Sequence, residues 1–138
     1  PNKTSMKTTL LILACLFTLS SCYVHAEAPT PSFTYAAKVV RVIDGDTIKV
    51  DIDLGFGVWV HNHSIRLLGV HAPEITGKDK AIGQQETAAL AAILPAGTDI
   101  VLITQKDRSD KYGRYLGRIY KGELDVNAEM LKLPQGGK

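Results

Sequence analysis

The pattern that most constrains the fold is a series of short segments rich in β-branched residues, broken once by a helical stretch. Segment 47–52 alternates apolar Ile48 and Val50 with polar Lys49 and Asp51, as a half-buried strand does. Strand composition also marks segments 37–43, 58–60 with 64–70, 99–105 and 115–120. Asp44-Gly45 and Pro73 punctuate these segments as turn and stop signals. The chain therefore predicts five short strands.

One helix is expected between the third and fourth strands. Apolar side chains recur there at helical spacing and form a single stripe: Ile82, Ala89, Leu90, Ile93 and Leu94. Pro95-Ala96-Gly97 ends it, and a second helix is predicted from Asp125 to Leu131. This element order predicts an α+β fold, mainly β, built on a five-stranded barrel of the oligonucleotide-binding (OB) type with flanking helices.

The N-terminal segment has the pattern of an export signal. Met6-Lys7 precedes an apolar run from Leu10 to Leu19, which is too short to span a bilayer comfortably. We predict a signal peptide at 1–26, with 1–5 as an extension upstream of Met6. A Pro-rich linker at 27–35, a folded domain at 36–133 and a tail at 134–138 follow.

Two cleavage sites compete in this leader. Leu19-Ser20-Ser21-Cys22 resembles a bacterial lipoprotein box and predicts a lipid anchor on Cys22, which would be the only link to a membrane. Val24-His25-Ala26 fits ordinary signal peptidase and predicts a secreted or periplasmic protein. Both alternatives predict an exported chain, expected to be a monomer. The folded domain contains no pair of cysteines, so its core must hold without an intrachain disulfide.

Bulk charge does not favour nucleic acid as a partner. The formal net charge is +2, from 16 basic and 14 acidic residues. Two lysines, Lys3 and Lys7, lie in the leader, and 16 − 2 leaves 14 basic against 14 acidic residues. Any signal for nucleic-acid binding must therefore come from local clusters.

Four polar clusters along the chain carry residue types suited to catalysis. Each alone has a bland explanation as a turn, a strand end or a loop. The clusters are Ile43-Asp44-Gly45-Asp46-Thr47, Arg66-Leu67-Leu68-Gly69-Val70-His71-Ala72-Pro73-Glu74, Asp107-Arg108-Ser109-Asp110-Lys111-Tyr112-Gly113-Arg114 and Asp125-Val126-Asn127-Ala128-Glu129-Met130-Leu131. Together and in this order, from about Lys38 to Leu131, they resemble the staphylococcal nuclease family. The resemblance implies an OB-type barrel that hydrolyses phosphodiester bonds of DNA or RNA.

The resemblance assigns roles to individual residues. Arg66 and Arg114 match the two arginines that grip the scissile phosphate, and Glu74 matches the glutamate that orients or deprotonates the attacking water. Lys111 and Tyr112 match positions that contact the terminal phosphate of a bound nucleotide. These types suit the chemistry, because guanidinium groups pair bidentately with phosphate oxygens and a glutamate supplies general-base help.

The resemblance also implies a Ca²⁺ site, with Asp46 as one ligand, the backbone carbonyl of Ala72 as another, and position 71 as a third. The family has aspartate at position 71, whereas this chain has His71, and imidazole suits calcium poorly. Three alternatives stay open: weak calcium binding through Asp46, a carbonyl and waters; a softer ion such as Mn²⁺ with His71 as ligand; or a barrel that binds nucleic acid or protein without cutting.

The family continues past the second helix to a third, whereas this chain reads Pro134-Gln135-Gly136-Gly137-Lys138 after it. We therefore expect a C-terminally short version of the fold. Because Arg66, Glu74 and Arg114 all lie upstream, the predicted catalytic set is expected to survive this shortening. A glutamate beside two phosphate-binding arginines favours an enzyme over a binding module.

Overall fold

The computed structural model describes residues 32–72, 79–106 and 113–134. The chain divides into two compact units, Pro1–Thr30 and Pro31–Lys138, and every described residue belongs to the second. The predicted export signal with Cys22 lies outside the described residues, as do Glu74, Lys111 and Tyr112. No helix among the described residues is long and apolar enough to cross a membrane.

Apart from an additional two-residue strand before the last helix, the described elements follow the predicted order. The strands are β1 Thr34–Val42, β2 Thr47–Asp53, β3 Trp59–Leu67, β4 Asp99–Lys106, β5 Tyr115–Lys121 and the two-residue β6 Leu124–Asp125. The helices are α1 Lys80–Ile93, between β3 and β4, and α2 Val126–Met130, directly after β6.

The sheet closes on itself into a barrel. Its order is β3-β2-β1-β4-β5-β6 with antiparallel neighbours, and an additional parallel pairing joins β3 to β5. That seam aligns Ile65 with Tyr115, Arg66 with Leu116 and Leu67 with Gly117. The five longer strands thereby form a closed barrel with two short helices, which confirms the predicted OB-type fold.

The strand boundaries differ most from the sequence-based prediction at β3 and β1. Segments 58–60 and 64–70 were predicted as separate stretches, whereas one continuous strand runs from Trp59 to Leu67 and residues 68–70 lie beyond its end. The strand is continuous because its pairing with β2, from Thr47 opposite Arg66 to Asp53 opposite Trp59, needs only backbone groups. Strand β1 begins at Thr34 instead of Ala37, since Thr34 pairs with Ile103 on β4. The strand therefore starts inside the predicted linker 27–35.

The core fills the barrel and the space under the helices. Strands and helices both contribute to its fully buried side chains, among them Ile48, Val50, Ile65, Leu102, Ile119, Leu90, Leu94 and Met130. At Gly117 on the seam strand, a Cβ would collide with Cγ2 of Ile65 and would stand 2.8 Å from Cδ1 of Leu102. Close packing at this position therefore requires glycine.

The buried face of α1 contains an unexpected residue. Leu90 is fully buried and Leu94, which ends the helix, is 1% exposed, as the predicted stripe requires. Ile82 is 38% exposed, so its place in the stripe was wrong. The helix instead turns Gly83 and Glu86 inward, because this face packs against the β1–β2 turn at Gly45.

Candidate active site

The turn between β1 and β2 presents a buried aspartate. The amide of Ile43 donates to the carbonyl of Thr47 at 2.9 Å, and the amide of Asp46 donates to Oδ1 of Asp44 at 3.0 Å. Asp46 is 9% exposed, and its Oδ1 accepts from the hydroxyl of Thr47 at 2.7 Å. Gly45 permits the tight approach, since a Cβ there would stand 2.8 Å from Cβ of Ala72. These hydrogen bonds within the predicted Asp-Gly-Asp turn thus hold the Asp46 side chain in place.

Arg66 faces this aspartate from the end of β3. The amide of Leu67 donates to the carbonyl of Asp46 at 2.7 Å, which ties the strand to the turn. Nε of Arg66 then lies 3.5 Å from Oδ2 of Asp46, and both side chains are only partly open to solvent. A guanidinium and a carboxylate therefore lie close together in a partly buried position, where their charges are weakly screened.

The segment after β3 brings His71 and Ala72 to the same place. The Ala72 amide donates to Oδ2 of Asp46 at 3.3 Å. Nη2 of Arg66 lies 3.2 Å from Nδ1 of His71. Because a guanidinium can only donate, Nδ1 must act as the acceptor in this contact. Asp46, Arg66, His71 and Ala72 are therefore assembled together, with His71 directed at the arginine.

Arg114 lies next to the parallel seam between β3 and β5. It directly precedes β5, where Tyr115 is the register partner of Ile65 and Leu116 that of Arg66. The two predicted phosphate-binding arginines thus lie on adjoining segments, 48 positions apart in the chain (114 − 66). A cavity of about 250 Å³ opens beside Arg66, lined by that residue, His71, the turn 67–70 and Leu116.

Asn127 supports the site from behind. Its Nδ2 donates to the carbonyl of Leu68 at 3.0 Å and to that of Gly117 at 2.9 Å, and its Oδ1 accepts from the amide of Ile119 at 2.9 Å. Helix α2 is thereby joined to β5 and to the turn that leads from Arg66 to His71. The fourth sequence cluster had marked this region without giving Asn127 a role.

Two further carboxyl groups lie at the β1–β2 turn: that of Asp44 within it and that of Glu86 against it. Burial raises the pKa of Asp44, and the neighbouring charge of Asp46 adds to the effect. Burial likewise raises the pKa of Glu86 on α1, again with a contribution from Asp46. Sequence reasoning missed Glu86, although a signal existed: it stands four residues after Ile82 and four before Leu90, in the middle of the predicted apolar stripe.

The donor atoms at this turn fit a hard divalent ion. Asp46 offers a carboxylate, Ala72 brings its backbone alongside, and Glu86 adds a buried carboxylate without a hydrogen-bond partner in the described part of the chain. Calcium and magnesium prefer such oxygen ligands. Across 32–72, 79–106 and 113–134, no cluster of three or more His, Cys, Asp or Glu side chains is placed to hold a metal ion. An ion at this turn would therefore need backbone carbonyls or water as its remaining ligands.

A larger cavity, of about 590 Å³, opens elsewhere on the barrel. Its lining is mainly apolar and aromatic and includes Phe33, Tyr35, Ile65 and Tyr115. None of the described residues predicted for the site lines it. Charge and hydrogen bonding, not volume, therefore locate the candidate site at the smaller cavity.

Comparison with known proteins agrees with this geometry. A family model described as staphylococcal nuclease homologue matches residues 64–135, which include Arg66, His71, Ala72 and Arg114. Protein ParB of Escherichia coli is 37% identical over 97 residues, covering 70% of this chain and 45% of ParB. An uncharacterized endonuclease of Escherichia coli is 36% identical over 96 residues, covering 69% of this chain and 55% of the relative.

A more distant relative matches over a longer stretch. Thermonuclease of Staphylococcus hyicus is 27% identical over 133 residues, covering 89% of this chain and 74% of the thermonuclease. The chain spans about half the length of the first two relatives.

Proposed function

Because the chain belongs to the staphylococcal nuclease family, we propose that it is a nuclease that hydrolyses phosphodiester bonds of DNA, RNA or both with the help of a divalent metal ion. The names thermonuclease and endonuclease among its relatives support this proposal. The substrate class, calcium and an endonucleolytic mode of attack are parts of the same proposal.

The observation that carries the proposal is the meeting of Asp46 and Arg66 beside a cavity. Nε of Arg66 lies 3.5 Å from Oδ2 of Asp46, and the cavity of about 250 Å³ adjoins the arginine. Asp46 would orient the guanidinium, whose further N–H donors suit the oxygens of a phosphodiester. Arg114 would add a second positive charge from across the β3–β5 seam.

Each residue has a distinct task in the proposed reaction. A water oxygen attacks phosphorus, Glu74 takes the proton that the water loses, and one ester P–O bond breaks while the departing sugar oxygen is protonated from solvent. Arg66 and Arg114 stabilise the negative charge that grows on the phosphate oxygens. Lys111 and Tyr112 would hold a neighbouring phosphate of the bound strand.

Asp46 and the backbone of Ala72 would hold the divalent ion. The ion, when bound, would offset phosphate charge and polarise the phosphorus centre. The oxygen character of these donors favours calcium over a softer ion. His71 in the manganese alternative would have to give up its Nδ1 contact with Arg66 if that nitrogen became the ligand.

The second candidate function is a barrel that binds nucleic acid or protein without cutting. Its support is His71, which brings no carboxylate to the position where the family has aspartate. Binding of labelled single strands with no cleavage under any metal condition would favour this candidate.

The decisive experiment incubates end-labelled DNA and RNA strands with the purified chain in calcium, in manganese and in chelator. We expect cleavage with calcium and none with chelator. Arg66→Ala should lower the rate by roughly two to four orders of magnitude while the fold is kept. Arg41→Ala, an exposed arginine on β1, is the matched control and should cut at the wild-type rate. Cleavage by Arg66→Ala at that same rate would remove this pocket from the reaction.

We further propose that the protein is exported, with Cys22 lipidated. The apolar run from Leu10 to Leu19 and the adjoining Ser20-Ser21-Cys22 motivate this. Cell fractionation should find a processed chain outside the cytoplasm, and mass spectrometry should find acylated Cys22 at its N-terminus. A mature chain beginning at Glu27 would refute the lipid anchor alone, whereas an uncleaved cytoplasmic chain would refute export.

A further inference from the structure

The most unusual side chain in the described domain is the buried carboxylate of Glu86. The residue is 1% exposed, and neither Oε1 nor Oε2 has a hydrogen-bond partner within the described residues. Burial of an unpaired carboxylate is among the costliest arrangements a fold can contain, unless a proton or a cation compensates it. An apolar residue would suit the stripe of α1 better, so packing alone does not account for Glu86.

The Glu86 side chain runs directly along the turn that carries Asp46. A Cβ placed on Gly45 would stand 2.8 Å from Cβ of Glu86 and 3.1 Å from its Oε2. The carboxylate therefore lies against the backbone of residue 45, one residue before Asp46. Any side chain at position 45 would displace it, so the glycine keeps two acidic groups close together.

The cations already present near this turn do not neutralise Glu86. Arg66 directs Nε to Asp46 and Nη2 to His71. No lysine or arginine among the described residues forms an ion pair with Glu86 in the structure. His71 offers a ring nitrogen instead of an oxygen ligand. Two buried carboxyl groups, on Asp46 and Glu86, therefore lie at one turn. The guanidinium of Arg66 contacts only the first of them and His71.

We propose that Glu86 is a direct ligand of a divalent cation at this turn, so that helix α1 supplies a carboxylate beside that of Asp46. The ligand class is a hard cation such as Ca²⁺, which takes several oxygen donors. The purpose of this site rests on the proposed nuclease function, but its existence can be tested by metal binding alone.

The test is calorimetric titration of the purified chain with CaCl₂ and with MnCl₂, in wild type and three variants. Glu86→Gln keeps the shape and removes the charge, and Glu86→Ala removes the whole carboxyl group. Glu123→Gln, in the exposed turn after β5, is the matched control. We expect Glu86→Gln and Glu86→Ala to weaken calcium binding at least about tenfold, and Glu123→Gln to bind like wild type.

Thermal melts give a second readout that separates a ligand from a structural residue. In chelator, Glu86→Gln should melt at or above the wild-type temperature, because it loses an uncompensated buried charge. Calcium should raise Tm of the wild type and not of Glu86→Gln. A lower Tm in chelator with an unchanged calcium response would show a structural role and overturn the proposal. Failure of both Glu86 variants to fold would overturn it as well, as would a wild type that binds neither cation.

The cleavage assay keeps this inference apart from the proposed function. If the wild type cuts nucleic acid and Glu86→Gln binds calcium as well as the wild type does, the nuclease proposal stands and this inference is wrong. If calcium binding depends on Glu86 but the protein cuts no nucleic acid, this inference stands and the nuclease proposal is wrong.

Discussion

At the scale of single residues, Arg66 is the centre of the candidate site. It touches Asp46 on one side and His71 on the other, at 3.5 and 3.2 Å. The first contact orients the guanidinium by charge, and the second by a hydrogen bond to a ring nitrogen. His71 thus has a role that requires no metal: it helps to hold the arginine that would bind phosphate. Whether it also reaches a metal ion stays a prediction.

His71→Asp tests the metal side of this residue. The substitution adds a hard oxygen ligand and a negative charge beside Asp46. We expect calcium affinity to rise about tenfold, equal to about 1.4 kcal/mol, and calcium-supported cleavage to rise with it. Manganese-supported cleavage should change less. Titration calorimetry measures the calcium affinity, and the cleavage assay measures the rate with each ion.

Asn62→Asp is the control for added charge, since Asn62 is exposed on β3 away from the seam. It should leave calcium affinity unchanged. An identical affinity and rate for wild type and His71→Asp would place position 71 outside the metal shell.

At the scale of elements, the short helix α2 is held by side chains at its start. It has only five residues, too few for independent stability. Oδ1 of Asp125 accepts from the amide of Ala128 at 3.0 Å, and Oδ2 accepts from Nε of Arg118 at 3.1 Å. These bonds place the helix where Asn127 can reach the turn behind the site.

Asp125→Ala should destabilise the fold in a pH-dependent way. The Ala128 amide, followed by Arg118, lowers the pKa of Asp125. A carboxyl whose pKa falls on folding stabilises the native state above its unfolded pKa, near 4 as a rough value, and this stabilisation is lost as pH falls through the folded pKa. We expect a cost of about 1 kcal/mol at pH 7 that shrinks toward pH 3, measured by urea unfolding.

Asp99→Ala is the control for the cap variant, because its ion pair with Lys38 is exposed. Surface pairs contribute little, so its effect should be small at both pH values. A cost for Asp125→Ala that is the same at pH 7 and pH 3 would contradict the role of the ionised cap.

Asn127→Leu should be more damaging than the cap variant. The substitution keeps approximate volume but removes three hydrogen bonds: buried bonds to Gly117 and Ile119 and a part-buried bond to Leu68. Leaving buried backbone groups unpaired should cost roughly 3 kcal/mol, read from urea unfolding. Cleavage by the folded fraction should also fall, because the turn before His71 loses its support. Gln84→Ala, an exposed position on α1, is the control, and equal stability of the two variants would refute the proposed brace.

At the scale of the whole molecule, the candidate site lies on the seam that closes the barrel. Within the described strands, three residue pairs align β3 with β5, and Arg66 belongs to one of them. Arg114 directly precedes β5, the other strand of this seam. A phosphate held by both arginines would therefore bridge the two strands whose pairing makes the sheet a barrel.

Ligand binding should accordingly stabilise the whole domain. A ligand that binds only the folded state at a hundredfold excess over its Kd adds about 2.7 kcal/mol, or roughly 10 °C in Tm for a domain near this size. We expect that rise with calcium plus a nucleoside bisphosphate in differential scanning calorimetry. Arg66→Ala should show a much smaller rise. A wild-type Tm that saturating ligand leaves unmoved would argue against a preformed site.

Local pattern was enough to predict much of this molecule. Alternation along Thr47–Ile52 and helical spacing at Leu90 and Leu94 reflect periods of two and 3.6 residues, which depend on near neighbours in the chain. The Asp44-Gly45-Asp46 turn could be predicted for the same reason. The motifs around Asp46, Arg66 and Arg114 together resemble the staphylococcal nuclease family, and the order of strands and helices agrees with that family's barrel, which the structure confirms.

Other features depend on contacts between distant parts of the chain. The continuous β3 follows from its ladder with β2, and the β3–β5 seam joins residues about fifty positions apart, such as Ile65 and Tyr115. Glu86 received no role from the sequence, and only the packing of the helix against Gly45 places it beside the Asp46 turn. Backbone pairing and side-chain burial arise only when the chain closes on itself, because hydrogen bonds and excluded water depend on neighbours in space rather than in sequence.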